Sequence, residues 1–272
     1  MTRNRGDSGA PLLPTLLLLL PLLAGCEDLV YFPARLTPEQ AKSISQRHAT
    51  QAEELRITTA GGVVLHGWLA RGAGAGPHPL VIYFGGNAEE VSWMLDRLDA
   101  FAGWSVALVN YRGYGRSEGR PSERSLLADA VAVHDQLAQR PDVDSRRVVA
   151  MGLSLGSGIA VQLAGQRALA GLILVSPFDS ITAVARSHYP MLPVGWVLGS
   201  LYDSAAVASH LRTPLQMIVA EQDEVIPVGH SMRLYEAWGG PKQAVTVAGA
   251  GHNDLHLHAG YLQAIRAFLS SH

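Results

Sequence analysis

A serine lies between two glycines where a buried strand could turn into a helix. Ser154 follows the apolar run 148–153 and occupies the centre of the motif GLSLG at 152–156. Glycines two positions away on each side leave room for a sharp turn, in which the backbone is strained and the hydroxyl projects clear of the sheet. A helix that begins directly after the serine adds free N–H groups and partial positive charge. The pattern predicts a nucleophile, and its alternative is a serine that only caps a helix.

Two later loops contain the residues that would activate this serine. A serine nucleophile needs a base to take its proton, and the base needs a carboxylate to fix its tautomer. Asp223 follows the apolar run 214–220, and His252 follows the apolar run 243–248. Both residues would lie at carboxyl ends of strands, as Ser154 does, so the three side chains can converge at one edge of a sheet.

The order Ser…Asp…His and the strand–turn–helix around the serine resemble the α/β-hydrolase superfamily. The stretches YFGGNAE, NYRGYGRSEG, GLSLGSG, SPFDS and AEQDEVIP together resemble its branch of depalmitoylating thioesterases and serine aminopeptidase-like enzymes. The resemblance covers about residues 55–270. It implies a hydrolase of carboxylic esters or thioesters in which Ser154, His252 and Asp223 form a catalytic triad and an acyl-enzyme intermediate.

The resemblance also implies an oxyanion hole made of backbone N–H groups. One donor would be Leu155, directly after the nucleophile, and the other would be Asn87 in the loop GGNA at 85–88. Relatives often carry histidine where this chain has Gly85, so no side-chain role is transferred to that position.

Other carboxylates are also possible partners of the histidine. Asp179 in SPFDS occupies a position that holds the acid in some hydrolases, and it could instead cap a helix. Glu221 and Glu224 flank Asp223, and we interpret them as solvated charges of the same turn.

No metal or cofactor site is predicted. His256 and His258 follow His252, but no motif of the HExxH type accompanies them. The glycines at 113–119 have the wrong spacing for a dinucleotide fingerprint, and the sequence contains no GxxxxGK[ST] phosphate loop.

Apolar runs alternate with helical patterns along most of the chain. Two extended runs around Gly61-Gly62 predict an antiparallel hairpin within 55–70. Six nearly continuous runs rich in Val, Ile and Leu are typical of parallel strands covered by helices on both faces, at 79–84, 105–111, 148–153, 171–176, 214–220 and 243–248. Helices are expected at about 88–101, 122–139, from 155, near 229–238 and up to 270. The pattern predicts the α/β-hydrolase fold with a mostly parallel, eight-stranded, doubly wound sheet. The apolar insertion 178–210 predicts either a small cap over an acyl pocket or ordinary helix packing.

The N-terminal 25 residues have the order of a secretory signal, with basic MTRNR, the apolar run PLLPTLLLLLPLL and then LAGC at 23–26. The apolar run is shorter than the roughly 20 residues that span a bilayer. LAGC resembles a bacterial lipobox, which implies that Cys26, the sole cysteine of the sequence, is lipidated and becomes the mature N-terminus. An ordinary secretory signal is the alternative. Residues 27–54 are predicted to be a tether to a domain at 55–272.

These features predict a protein of the bacterial cell envelope, held at a membrane by lipid. In lipoproteins of enteric bacteria, an aspartate directly after the lipidated cysteine favours retention in the inner membrane. Here Glu27 follows Cys26, so an outer membrane is favoured where one exists. The formal net charge is −2 and no basic block occurs, which argues against nucleic-acid binding. The expected partner is a small-molecule or acyl ester substrate. A serine peptidase, or a non-catalytic binding protein on the same fold, remains the alternative.

Overall fold

A computed structural model gives the fold of residues 30–199 and 201–272. Its centre is an eight-stranded sheet in the order β1-β2-β4-β3-β5-β6-β7-β8. The strands are β1 (Ala52–Thr58), β2 (Val64–Ala70), β3 (His78–Phe84), β4 (Ser105–Val109), β5 (Val143–Leu153), β6 (Gly171–Val175), β7 (Leu215–Ala220) and β8 (Lys242–Val247). Strand β2 pairs antiparallel with β1 and β4, and the remaining pairs are parallel. The predicted fold class, including the N-terminal hairpin, is confirmed.

Helices cover both faces of this sheet. They are α1 (Pro38–Arg47), α2 (Glu123–Ala138), α3 (Leu155–Ala164), α4 (Ile181–His188), α5 (Val194–Leu198), α6 (Ser204–Ala208), α7 (Val228–Ala237) and α8 (Ala259–Ser270), with 3₁₀ turns at Val91–Phe101 and Leu255–Leu257. The predicted helix at 88–101 is therefore a 3₁₀ segment, and its backbone is kinked at Arg97. Apolar spacing over so short a stretch fits 3.0 residues per turn as well as 3.6. Within residues 30–199 and 201–272, none of the helices combines the length and the hydropathy that a membrane span requires.

The central strands are buried on both sides, as their continuous apolar sequences require. Leu80 and Ile82 of β3 belong to a hydrophobic cluster with Ile159 of α3. Val81 and Tyr83 of the same strand belong to the cluster on the opposite face, with aromatic side chains of the 3₁₀ segment and α8. Each large apolar side chain that leaves water contributes roughly 1.5–3 kcal/mol to folding, so both layers hold the sheet in place.

The segment 27–54, predicted as a tether, is part of the folded body from Val30 onward. The Tyr31 side chain is 4% exposed, and its hydroxyl lies 3.0 Å from that of Tyr202. Backbone bonds join Ala34 and Leu36 to Gly115. We call residues 30–36 the strap. The prediction was wrong here because one buried aromatic residue and a few backbone bonds produce no periodic pattern.

Helix α1 and strand β1 complete the folded part of that segment. Helix α1 begins with a capping box, in which Thr37 accepts from the Gln40 N–H and the Gln40 side chain accepts from the Thr37 N–H. The predicted signal peptide and Cys26 lie outside the described residues.

Three short helices, α4, α5 and α6, lie within the described residues of 178–210, between β6 and β7. We call this segment the cap, because α4 and α5 line a cavity beside the carboxyl edge of the sheet. The strands β3, β5, β7 and β8 all end at that edge, and each is followed by a loop that carries a predicted site residue.

Candidate active site

The backbone of Ser154 is strained at the turn between β5 and α3. Its φ is 51° and its ψ is −114°, a conformation that a residue with a side chain rarely adopts. A Cβ atom at Gly152 would lie 2.3 Å from the carbonyl oxygen of Gly156, and one at Gly156 would lie 2.0 Å from that of Phe84. The two glycines therefore allow the close packing that the turn requires, as the motif predicts.

A continuous chain of hydrogen bonds runs from this serine to a buried carboxylate. The Ser154 hydroxyl lies 3.0 Å from Nε2 of His252. Nδ1 of His252 lies 2.8 Å from Oδ2 and 2.9 Å from Oδ1 of Asp223. Because an ionised carboxylate only accepts, it fixes the tautomer in which Nδ1 carries the proton and Nε2 can accept from the serine.

The loop after β7 keeps Asp223 ionised and oriented. Its Oδ1 accepts from the backbone N–H groups of Val225, at 3.0 Å, and Ile226, at 2.7 Å. Burial alone would raise the pKa of Asp223, but the hydrogen bonds from His252 and the Ile226 N–H outweigh it, so the pKa lies below its ordinary value. The carboxylate can therefore stabilise a positive charge on the imidazole.

The two predicted oxyanion donors belong to residues that line one cavity together with the serine. Leu155 is the first residue of α3, so its N–H has no carbonyl to bond within the helix. Within the described residues, the Asn87 N–H makes no hydrogen bond. The Glu89 carboxylate accepts from the adjacent Gly86 N–H at 2.5 Å, so the Asn87 N–H is not needed by this carboxylate and can donate to a substrate oxygen.

Two roles in this loop were missed from sequence. The Asn87 side chain binds the strap, since its Nδ2 donates to the Val30 carbonyl at 2.6 Å and its Oδ1 accepts from the Phe32 N–H at 3.0 Å. The Glu89 carboxylate is half-buried and also accepts from the side chains of Tyr83 and Trp93. Burial raises its pKa, despite these bonds. The paired acids Glu89-Glu90 directly after a strand end were the one available signal.

Asp179, the alternative acid, belongs to a different cluster. Its Oδ1 lies 2.7 Å from Nδ1 of His230, and its Oδ2 accepts from Arg233 at 2.6 Å. Nε2 of His230 lies 3.1 Å from the Ser187 hydroxyl, which donates to the Val184 carbonyl of its own helix. This cluster joins α4 of the cap to α7, and no bond links Asp179 to His252 within the described part of the chain.

The remaining histidines of the terminal loop lie apart. The His256 ring is 5.0 Å from that of Trp93, and His258 lies 3.8 Å from the Asp254 carboxylate. Within residues 30–199 and 201–272, no three ligating side chains are grouped to hold a metal ion.

Two cavities meet at Ser154. The larger, of about 540 Å³, lies under the cap and is mostly apolar. Side chains that line it include Val30, Phe178, Val184, Leu192 and Ile226. The second, of about 430 Å³, lies beside Glu89, Trp93, Asn253 and His256. Ser154, Asn87 and Val225 border both cavities. A substrate whose scissile bond lies at the Ser154 hydroxyl would therefore place its acyl group in one cavity and its leaving group in the other.

The sheet topology, the strained serine turn and the strand-end loops define an α/β hydrolase. A sequence profile described as "Serine aminopeptidase, S33" matches residues 75–210, half of the chain. The chain belongs to this family of hydrolases.

The chain is also similar to individual proteins. An uncharacterised protein of Mycobacterium tuberculosis is 38% identical over 246 residues, which span 89% of this chain and 86% of that protein. The α/β-hydrolase domain-containing protein 17C of Xenopus tropicalis is 31% identical over 229 residues, 83% of this chain and 72% of that protein. The acetyl xylan esterase of Paenibacillus sp. R4 superposes with a TM-score of 0.66 over 92% of this chain and 99% of the esterase. At 18% identity, this last similarity concerns the fold alone.

Proposed function

We propose that this hydrolase cleaves carboxylic esters or thioesters with Ser154 as nucleophile, His252 as general base and Asp223 as the carboxylate that orients it. The observation that supports this most strongly is the hydrogen-bonded chain from Asp223 through His252 to Ser154. It ends at a strained turn, where a hydroxyl projects towards an apolar cavity.

In the first half of the reaction, the Ser154 oxygen attacks the acyl carbonyl carbon and its proton moves to Nε2 of His252. The carbonyl electron pair moves onto oxygen, which the N–H groups of Leu155 and Asn87 stabilise. The C–O or C–S bond then breaks, and His252 returns the proton to the departing alkoxide or thiolate. An acyl ester of Ser154 remains.

In the second half, water takes the place of the leaving group. His252 removes one proton from the water, whose oxygen attacks the acyl carbon. Collapse of this intermediate breaks the bond to the Ser154 oxygen, which recovers its proton from His252. The products are a carboxylic acid and free enzyme, and the side chains named supply every proton transfer.

The cavity under the cap favours an acyl chain. Its lining consists mainly of aliphatic side chains, and among the described residues that form it there is no Asp or Glu. An aminopeptidase must bind the substrate ammonium group, and a buried charge needs an opposite charge or hydrogen bonds. Glu89 of the second cavity already accepts three hydrogen bonds from the protein. Acyl esters and thioesters are therefore favoured over aminoacyl substrates.

The test compares p-nitrophenyl esters of increasing acyl length with aminoacyl p-nitroanilides. We expect kcat/KM to rise from acetyl to medium-chain esters, because each buried CH₂ contributes about 0.8 kcal/mol of binding. Aminoacyl anilides should be poorer substrates than any of the esters. Faster cleavage of aminoacyl anilides would reject the ester assignment in favour of a peptidase.

A pair of variants on one helix tests the cavity itself. Ala185→Phe places a ring in the cavity, so it should lower kcat/KM for medium-chain esters by roughly tenfold or more and leave acetyl esters nearly unchanged. Ala183→Phe is the matched control on the same helix and does not line the cavity. Equal losses in both variants would mean that the acyl chain binds elsewhere.

We further propose that Cys26 carries lipid and anchors the enzyme in the bacterial cell envelope, at the outer membrane where one exists. The proposal rests on the order of basic start, apolar run and LAGC in the sequence. Such an anchor would place the enzyme where acyl esters and thioesters are concentrated.

A further inference from the structure

Large apolar side chains are exposed on the cap, and two of them, Tyr189 and Leu192, also line the apolar cavity. Met191 and Trp196 are 92% and 90% exposed, and Tyr189 and Leu192 are more than half exposed. We call these four residues the cap patch. Single exposed apolar residues are ordinary, but a group of them beside a cavity marks a surface that binds something.

The strap adds to the apolar character of this face. Val30 lines the same cavity as Tyr189 and Leu192, and Phe32 is 60% exposed. Of the exposed large apolar side chains among the described residues, Leu257 is the one that belongs to neither the cavity lining, the cap nor the strap.

The charge of the cap suits a lipid surface. Between Asp179 and Asp203 the sequence contains no Asp or Glu, whereas it contains Arg186 and His188. Carboxylates resist transfer into lipid, and basic side chains are attracted to anionic headgroups. Tryptophan and tyrosine are also the side chains that favour the boundary between water and acyl chains.

The end of the described chain places a membrane near this patch. Val30 borders the cavity, so Cys26 is at most about 14 Å of extended chain away from it. The undescribed segment contains both Cys26 and the apolar run at 11–23. Either the lipid on Cys26 or the apolar run could enter the bilayer. In both cases the bilayer would lie close to the face that carries the cap patch.

We propose that the cap patch docks into the surface of a lipid bilayer and that the mouth of the apolar cavity faces the lipid. This contact is separate from the N-terminal anchor and goes beyond the proposed reaction. An acyl chain could then pass from the bilayer to Ser154 without crossing bulk water.

Tryptophan fluorescence of the full-length protein bound to vesicles tests the docking. Trp68, Trp104 and Trp238 are buried and Trp93 is half-buried, so Trp196 is the fully exposed reporter among the described residues. On phosphatidylcholine vesicles, we expect the emission to shift to the blue. Brominated acyl chains should quench it more than in Trp196→Phe, which keeps the patch apolar but removes the reporter.

A charge variant tests the surface rather than the reporter. Met191→Glu should weaken quenching of Trp196 by brominated lipid several-fold, because a carboxylate would have to enter the lipid. Leu257→Glu is the matched control outside the patch and should leave the quenching unchanged. Both can be measured in the Ser154→Ala background, so the result does not depend on the proposed reaction.

Three results would overturn the proposal. The first is that the protein does not sediment with the vesicles. The second is that Trp196 of vesicle-bound protein remains accessible to aqueous iodide and unaffected by brominated lipid. The third is a blue-shifted Trp196 in the absence of vesicles. If this blue shift depends on protein concentration, a second copy of the protein covers the patch. If the blue shift is independent of concentration, the N-terminal apolar segment covers it.

Discussion

The side chain of Asn87 connects the strap to the loop that carries a proposed oxyanion donor. Its Oδ1 accepts from Phe32 N–H and from the Tyr114 hydroxyl, and its Nδ2 donates to the Val30 carbonyl. In Asn87→Ala these bonds are lost while the backbone N–H remains. We expect kcat to fall roughly tenfold to hundredfold. This loss should not exceed the loss caused by removing an oxyanion donor, because the donor is displaced and not removed.

A graded variant separates positioning from general destabilisation. Tyr114→Phe removes one bond to the same Oδ1 and should lower kcat by a smaller factor, with little change in KM. Thermal melting of both variants provides the control. An Asn87→Ala enzyme with wild-type kcat would show that the strap does not position the loop.

At the residue scale, the sequence predicted the turn at Ser154 but not the side-chain contacts that surround the site. Ser154 and its two glycines form a local motif, because the collisions that exclude side chains come from nearby backbone. The partners of Asn87 are up to 57 residues away along the chain, and those of Asp179 up to 54. Contacts of this kind depend on the folded arrangement, and no local pattern indicates them.

At the scale of elements, the cluster around Asp179 holds the cap on the body. Burial would raise the pKa of Asp179, but Arg233 and His230 outweigh it, so the pKa lies below its ordinary value. A lowered pKa stabilises the fold above the unfolded value of about 3.9, and this contribution is lost as the pH falls through the folded pKa. Asp179→Asn should therefore lower the free energy of unfolding at pH 7 by about 1.5–3 kcal/mol.

Urea denaturation across pH measures this effect. The difference between wild type and Asp179→Asn should close as the pH falls below about 4. Asp144→Asn is the control, because Asp144 pairs at 3.5 Å with an Arg146 side chain that is 91% exposed, and such pairs contribute about 0–1 kcal/mol. A difference that stays constant with pH would mean that the ionised carboxylate is not what stabilises the cap.

The apolar runs predicted the elements of the sheet because buried parallel strands are recognisable from composition alone. The observed strand boundaries differ from the predicted ones where backbone pairing, rather than hydrophobicity, determines where a strand begins or ends. Strand β5 begins at Val143, five residues before the predicted run, because His78 of β3 pairs with Val143. The strap was missed for the same reason, since backbone bonds to Gly115 hold it in place.

At the scale of the whole molecule, the folded strap leaves little chain between the proposed anchor and the active site. If Cys26 is lipidated, the wild-type protein should remain with membranes after a high-salt wash, which removes electrostatic attachment only. Cys26→Ser should give unprocessed precursor or soluble protein, as seen by fractionation and by intact mass. A wild-type N-terminus that carries no lipid mass would contradict the proposal.

The central claim is that Ser154 is the nucleophile, and covalent labelling tests it most directly. After reaction with a fluorophosphonate and digestion, mass spectrometry should find the adduct on the peptide that contains Ser154. Labelling should be absent in Ser154→Ala and slower by roughly a hundredfold or more in His252→Ala, because the base activates the hydroxyl. Ser187, which also lies beside a histidine, is the internal control and should stay unmodified. An adduct on Ser187, or equal labelling of wild type and Ser154→Ala, would contradict the account.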